Sequence, residues 1–174
     1  MMNTIMNSDR RFGVLMWDPV RGQPADIGCC AEIVHFQQLP DDRMKVLTMG
    51  QQRFRVLEYV REKPYRVGLV EWIEDRPTEE DLRPLATDVE RLLRDVVHLS
   101  GKLTEQPVEL PDNLPELPIE LSYWVASHLY GVASEQQALL EMQDTTTRLD
   151  REVEMLTSTR NHLAARTALK DALP

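Results

Sequence analysis

Side chains with usable chemistry near neutral pH are few in this chain, and they are not grouped. Four histidines, His35, His98, His128 and His162, are scattered over 174 residues. A nucleophile needs a base within hydrogen-bond reach, and no serine stands in a pattern with histidine and aspartate; the serines fall at turns and helix caps. Cys29 and Cys30 are neighbours in a strand-like run, so their side chains point to opposite faces and cannot close an ordinary disulfide. With His35 the one histidine nearby and no CxxC, a zinc site is not expected. Among 7 glycines none forms GxxxxGKS or GxxxxGKT, so there is no phosphate cradle. The expectation is a protein that is not an enzyme, with no catalytic residue, no metal and no cofactor.

The chemistry left is contact chemistry. Met16, Trp17, Tyr59, Tyr65 and Trp72 are apolar or aromatic groups in the strand-rich part of the chain. Together they are the candidate patch for extended or unfolded peptides, because methionine and aromatic side chains bury large areas and adapt their shape. Gly50, Arg53 and Phe54 are read instead as a structural motif, with Phe54 in the core and Arg53 or Arg55 paired to Glu58 or Glu71.

These residues must be positioned by a sheet. Between Ile27 and Asp75 lie three or four strand-like runs. His35 to Leu39 and Arg43 to Thr48 flank Pro40, Asp41 and Asp42, where proline presets φ and aspartate caps its own backbone, so a hairpin is expected. Gly50 is expected to break its second arm, with a further strand resuming at Arg53. Tyr65 to Ile73 is apolar on both faces, which places it between layers and away from an exposed edge. Ahead of these, residues 1–11 read as a helix end, and Phe12 to Trp17 as a strand stopped by Asp18 and Pro19.

After Pro77 the period changes. Thr78 and Asp81 form a capping-box-like start. Leu82, Leu85, Val89, Leu92, Leu93, Val96 and Val97 then recur at three and four, giving an amphipathic helix ended by Ser100 and Gly101. Pro107, Pro111, Pro115 and Pro118 exclude a helix from 104 to 118. A short helix is expected from Ile119 to Leu129, closed by Gly131. Ser134 and Gln137 open another, and Asp144 and Thr145 a last, long one. Its seam, Met142, Thr146, Leu149, Val153, Leu156, Arg160 and Leu163, suits packing on its own domain or pairing with a second chain through residues 145–170. The division is therefore 1–77, a β subdomain, and 78–174, a helical subdomain.

The succession IGxxAEI, PDDR, GxxRFRVLE, PYxVxxVEWIED, then LPIELSYWVASHL and QALLEMQDTTTRLDRE, resembles the amino-terminal substrate-binding domain of the ATP-dependent Lon proteases. The resemblance implies an α+β fold: a PUA-like β-barrel or rolled sheet followed by a helical subdomain. It implies a free-standing form without the ATPase and peptidase modules, holding polypeptide segments in protein quality control. Against the family's pattern a first strand is missing ahead of residues 1–11, so either the start lies upstream of Met1 or the barrel is shortened.

Charge narrows the partners. Residues 1–77 carry 11 basic and 11 acidic side chains and residues 78–174 carry 9 and 18, so the helical part supplies the whole net charge of -9. Neutralising phosphates needs a basic surface, and nucleic acid is not expected. The alternative to peptide binding is a structural or assembly factor that docks onto a larger protein complex through its acidic helical part. No apolar run is long enough to span a bilayer and no signal-peptide pattern is present, so no membrane insertion and a cytoplasmic location are expected.

Overall fold

The computed structural model describes all residues except Asp42, Pro107, Tyr130, Gly131, Val132, Leu173 and Pro174. The chain divides into two units, Met1–Glu74 and Asp75–Pro174.

The first unit opens with a short helix, α1 (Met2–Met6), followed by β1 (Arg11–Val14), β2 (Trp17–Asp18), β3 (Gln23–Pro24), β4 (Ile27–Gln38), β5 (Met44–Arg61) and β6 (Val67–Ile73). Four strands form one antiparallel sheet in the order β1-β4-β5-β6, and β2 and β3 pair as a separate ribbon. The β4–β5 hairpin turns where proline and aspartate predict it, with Arg43 N–H donating to the Asp41 carboxylate at 3.3 Å; Asp42 lies outside the described residues. Gly50 does not break the second arm. β5 runs through it as one strand of 18 residues; Gly50 stands opposite Ala31, and the ladder only shifts register between that pair and Arg53–Cys29. The expectation for the last arm is also corrected. Among the described residues β6 pairs with β5 alone and is an edge strand, with Leu69 and Trp72 exposed; apolar residues on both faces here mark an uncovered surface.

The buried set of this unit is made largely of small groups, Ala25, Cys30 and Ala31 with Ile5, Ile27, Ile33 and Ile73, around one large ring, Phe54. That ring explains two glycines. A Cβ on Gly13 would stand 2.7 Å from the Phe54 ring, and one on Gly28 would overlap the Val14 carbonyl oxygen. Both positions stay bare so that β1 and β4 can close on the ring.

The second unit is helical: α2 (Arg83–Thr104), α3 (Pro118–His128), α4 (Ala133–Glu141) and α5 (Thr145–Ala172). The capping box predicted at Thr78 does not start α2. Thr78 Oγ1 instead accepts from Glu80 N–H, and Asp81 accepts from the first helical N–H, that of Arg83, at 3.1 Å. Pro84 then fits in the first turn, where its missing N–H costs nothing. Nor do Ser100 and Gly101 end the helix. It continues to Thr104 and stops at Glu105 in the left-handed conformation, where Lys170 Nζ reaches the Leu103 carbonyl (3.3 Å) and the Glu105 carboxylate (2.7 Å). Gly131 and Pro107 lie outside the described residues. Asp144 caps α5 through Thr147 N–H at 2.8 Å, as expected for that pair of residues.

Ala86, Val89, Leu92 and Leu93 of α2 pack with Leu121 and Val125 of α3 and with Leu149 and Leu156 of α5 in one core. The seam of α5 is rotated from the predicted one. Its buried residues are Thr145, Arg148, Leu149, Glu152, Leu156 and Thr167, so three of the positions it turns inward are polar or charged in its first two turns. Among the described residues no helix is long and apolar enough to cross a membrane, and no cluster of metal-ligating side chains occurs.

Candidate functional site

On the β unit, Phe54 pairs with Trp72 across β5 and β6, and Val56 pairs with Val70. Residues two apart share a face, so these four side chains form a stripe. A Cβ on Gly68 would meet Val56 and Tyr59, so Tyr59 continues it. Phe54 is the buried end. Trp72 stands edge-on to it, with centroids 6.4 Å apart at 89°, and is 53% exposed. On the opposite face Arg55 pairs with Glu71 at 3.4 Å, one of the pairings expected for the motif, while Arg53 is buried opposite Ile73. Stripe and ion pair therefore sit on opposite faces of the sheet at the β5–β6 pairing.

The five predicted contact residues are distributed unevenly. Tyr59 and Trp72 lie on the stripe; from Gly68, which faces Tyr59, to Trp72 is about 13 Å along β6. Tyr59 is half-buried under the Arg66 guanidinium, 5.2 Å from the ring centroid. Tyr65, in the β5–β6 connection, is half-buried under Arg61 at 4.8 Å. Met16 and Trp17 belong to the β2–β3 ribbon, where Trp17 faces Pro24 and is 55% exposed. Met16 holds this ribbon through its carbonyl, which accepts from Ala25 N–H. Sequence reasoning missed Leu57, Val60 and Leu69, and the hairpin residues Met44, Val46, Leu47 and Met49, all exposed. An apolar run in a long strand reads as core; only the lengths of the neighbouring strands reveal that nothing covers it.

The helical unit holds a second cluster, of a different kind. Asp75, its side chain 3% exposed, accepts hydrogen bonds from both terminal nitrogens of Arg148, from Thr145 Oγ1 at 2.8 Å and from Tyr123 Oη at 2.9 Å. Arg148 is fully buried. It also donates to Ser122 Oγ and the Met142 carbonyl, and lies 4.0 Å above the Tyr123 ring. Burial pushes the Asp75 pKa up, but the hydrogen bonds from Arg148 and Thr145, with the Arg148 charge, outweigh it and hold the carboxyl at about 2. One turn further along α5, Glu152 is fully buried and neither of its oxygens has a hydrogen-bond partner among the described residues. Burial raises it to about 8, against the pull of Arg148. Asp75 and Arg148 are engaged with each other and with Tyr123, Thr145 and Ser122, so the cluster ties the chain entering this unit to α3 and α5.

The four histidines are all exposed and apart; His128 stacks on Trp124 at 4.0 Å. Both cysteines are free, and burial raises the pKa of each.

Residues 1–158 match the family model of the ATP-dependent protease La (LON) substrate-binding domain. Lon protease 2 of Myxococcus xanthus is 28% identical over 148 residues, 84% of this chain and 18% of that protein. Lon protease of Anaeromyxobacter dehalogenans gives 28% over 84% of this chain and 17% of its own length. The chain thus spans less than a fifth of these relatives. The crystal structure of a Lon N-terminal domain protein from Xanthomonas campestris superposes with a TM-score of 0.57 at 25% identity, covering 86% of this chain and 78% of that one. The N-terminal domain of a Mycobacterium avium complex Lon protease gives 0.64, at 14% identity over 90% and 82%, a likeness of fold.

Proposed function

The chain belongs to the Lon substrate-binding domain family, and from that premise we propose that it is a non-catalytic, cytoplasmic module that holds extended polypeptide segments on its β unit, in the service of protein quality control. The observation that carries this reading is the stripe from Phe54 through Trp72 to Tyr59, anchored at one end in the core and open at the other. A buried anchor keeps the exposed rings ordered, so binding a client costs little side-chain entropy. Trp17 adds a second exposed ring.

The reading is tested with a reduced and alkylated, permanently unfolded protein as client. Trp72→Ala is expected to weaken its retention by about tenfold, the loss of one aromatic anchor, with unchanged circular dichroism. Retention unaffected by Trp72→Ala and by Trp17→Ala together refutes the site. Hydrolysis of ATP or of a peptide bond by the purified chain refutes the non-catalytic assignment.

A further inference from the structure

β5 is longer than its second neighbour can cover. β4 runs along one side of it from Met44 to Arg55, whereas β6 pairs with the other side only from Arg53 to Arg61. From Met44 to Gln52 that second side has no partner strand among the described residues, and every residue of the stretch is exposed. Along an antiparallel strand alternate residues turn their N–H and C=O groups to each side. From Met44 to Gly50, short of the register shift that precedes Arg53, the open edge therefore presents a row of donors and acceptors, which only water or another strand can satisfy.

The side chains beside this edge are apolar on both faces. Met44 and Val46 stand opposite Gln38 and Phe36 on one face; Leu47 and Met49 stand opposite His35 and Glu32 on the other. A strand laid here would find an apolar neighbour for each of its two alternating sets of side chains. That favours a continuous apolar run over an amphipathic one. The single charge between Met44 and Gln52 is Lys45, while Arg43 beside it is held by Asp41 at 2.6 Å. An acidic or neutral flank complements Lys45, and a basic flank is repelled.

We propose that the open edge Met44–Gln52 takes an added strand, an extended apolar segment of a client polypeptide with no basic residues, whose main chain pairs with β5. The inference rests on the peptide-binding reading above and gives it a mode. Main-chain pairing supplies affinity with little demand on sequence, and the two apolar faces supply the preference.

The test uses the intact chain and a labelled apolar peptide of about nine residues, the length of the open edge, with acidic ends. Two further versions carry N-methyl groups on alternate amides, one on the odd and one on the even positions. Methylation removes a donor from one edge of the peptide only, so one version is expected to bind like the parent and the other at least about a hundredfold more weakly, the loss of several net hydrogen bonds. Alternate amides of Met44–Gln52 should exchange more slowly in the complex, and Lys45→Glu should weaken the acidic peptide and favour one with basic ends. Equal affinity of both methylated versions, with Trp72→Ala still weakening binding about tenfold, overturns strand addition and leaves the peptide-binding reading standing. Failure of the parent peptide and of unfolded protein to bind at all overturns both. Protection of the same amides on raising protein concentration without peptide assigns the edge to a second copy and overturns the client.

Discussion

Replacing Glu152 by glutamine tests how the helical unit carries a buried carboxyl. With no solvent contact and no hydrogen-bond partner for either oxygen among the described residues, the group is expected to fold in as the neutral acid. Its pKa is raised from 4.5 to about 8 in the folded protein. The folded state then keeps a proton that the unfolded chain releases. The stability this gives is fully present below pH 4.5 and is lost as pH rises through 8. At about 1.4 kcal/mol per unit, the loss by pH 7 is about 3 kcal/mol, against a ceiling of about 5 kcal/mol above pH 8. The other shifted carboxyls, Asp41, Asp75, Asp81, Glu105 and Asp144, are all lowered, so their windows lie below that of Glu152.

Urea unfolding followed by far-UV circular dichroism at several values from pH 5 to 8 measures the effect. The native chain should lose about 1.4 kcal/mol of stability per pH unit across this range. Glu152→Gln keeps the volume and the unsatisfied polar atoms but has no proton to lose, so its curve should be flat there. The two should lie close together near pH 5 and differ by about 3 kcal/mol at pH 7, the variant being the more stable. Glu152→Leu should gain further at every pH, since it also removes the unpaired oxygens. Parallel curves for the native chain and Glu152→Gln, or a glutamine variant less stable at pH 7, would refute the reasoning.

Other outcomes follow from the same geometry. Asp75→Asn leaves Arg148 buried without its counter-charge and should cost about 3–5 kcal/mol in the same unfolding assay at pH 7. It should also remove the Asp75 share of the acid limb of the stability curve, because that contribution is present above pH 3.8 and is lost as pH falls through about 2. Gly28→Ala, whose Cβ would overlap the Val14 carbonyl oxygen, should unfold or strongly destabilise the sheet. Gly50→Ala meets nothing nearer than the Cys29 sulfur at 3.6 Å and should change stability by less than about 1 kcal/mol. Phe54→Ala should cost about 3–5 kcal/mol, the range for emptying a buried aromatic site, and the near-UV signal of Trp72 should be lost with it.

What the sequence discloses depends on whether a residue's role is local. The β4–β5 turn at Pro40 and Asp41, the Asp144 cap of α5 and the apolar period of α2 each follow from a few adjacent residues, and each forms where expected. Apart from the start of α2, which Asp81 sets locally, the misplaced boundaries have a distant cause. Gly50 looks like a break until Ala31 is known to lie opposite it. Gly101 looks like a stop until Lys170, far along the chain, is seen to serve the last turn of α2. The burial of Arg148 is invisible in the TTTRLDRE run because the carboxylate that makes it tolerable is Asp75, 73 residues away. Of the candidate site, the Tyr59 and Trp72 pair was legible from residue type. The exposed hairpin was not, since exposure there follows from β6 stopping at Ile73.

The two units depart from the ordinary rule of burial in different ways, and this bears on function. In the helical unit a guanidinium and two carboxyls are drawn into the interior, at a cost that an apolar core would avoid. In the β unit one guanidinium, that of Arg53, is also buried, but Trp17, Trp72, Leu47, Leu57, Val60 and Leu69 stay more than half exposed, while the apolar interior is filled by alanines, a cysteine, isoleucines and one phenylalanine. A sheet that chiefly needed stability would gain by turning its large groups inward, at about 25 cal/mol per Å² of apolar area covered. Here the large groups are outside, and two glycines are kept so that one ring can hold three strands together. Such a distribution makes sense where the outer apolar surface is covered part of the time by something else. Client binding should therefore raise the unfolding midpoint of the β unit and leave that of the helical unit unchanged. A client that stabilised the helices and not the sheet would place the contact surface elsewhere.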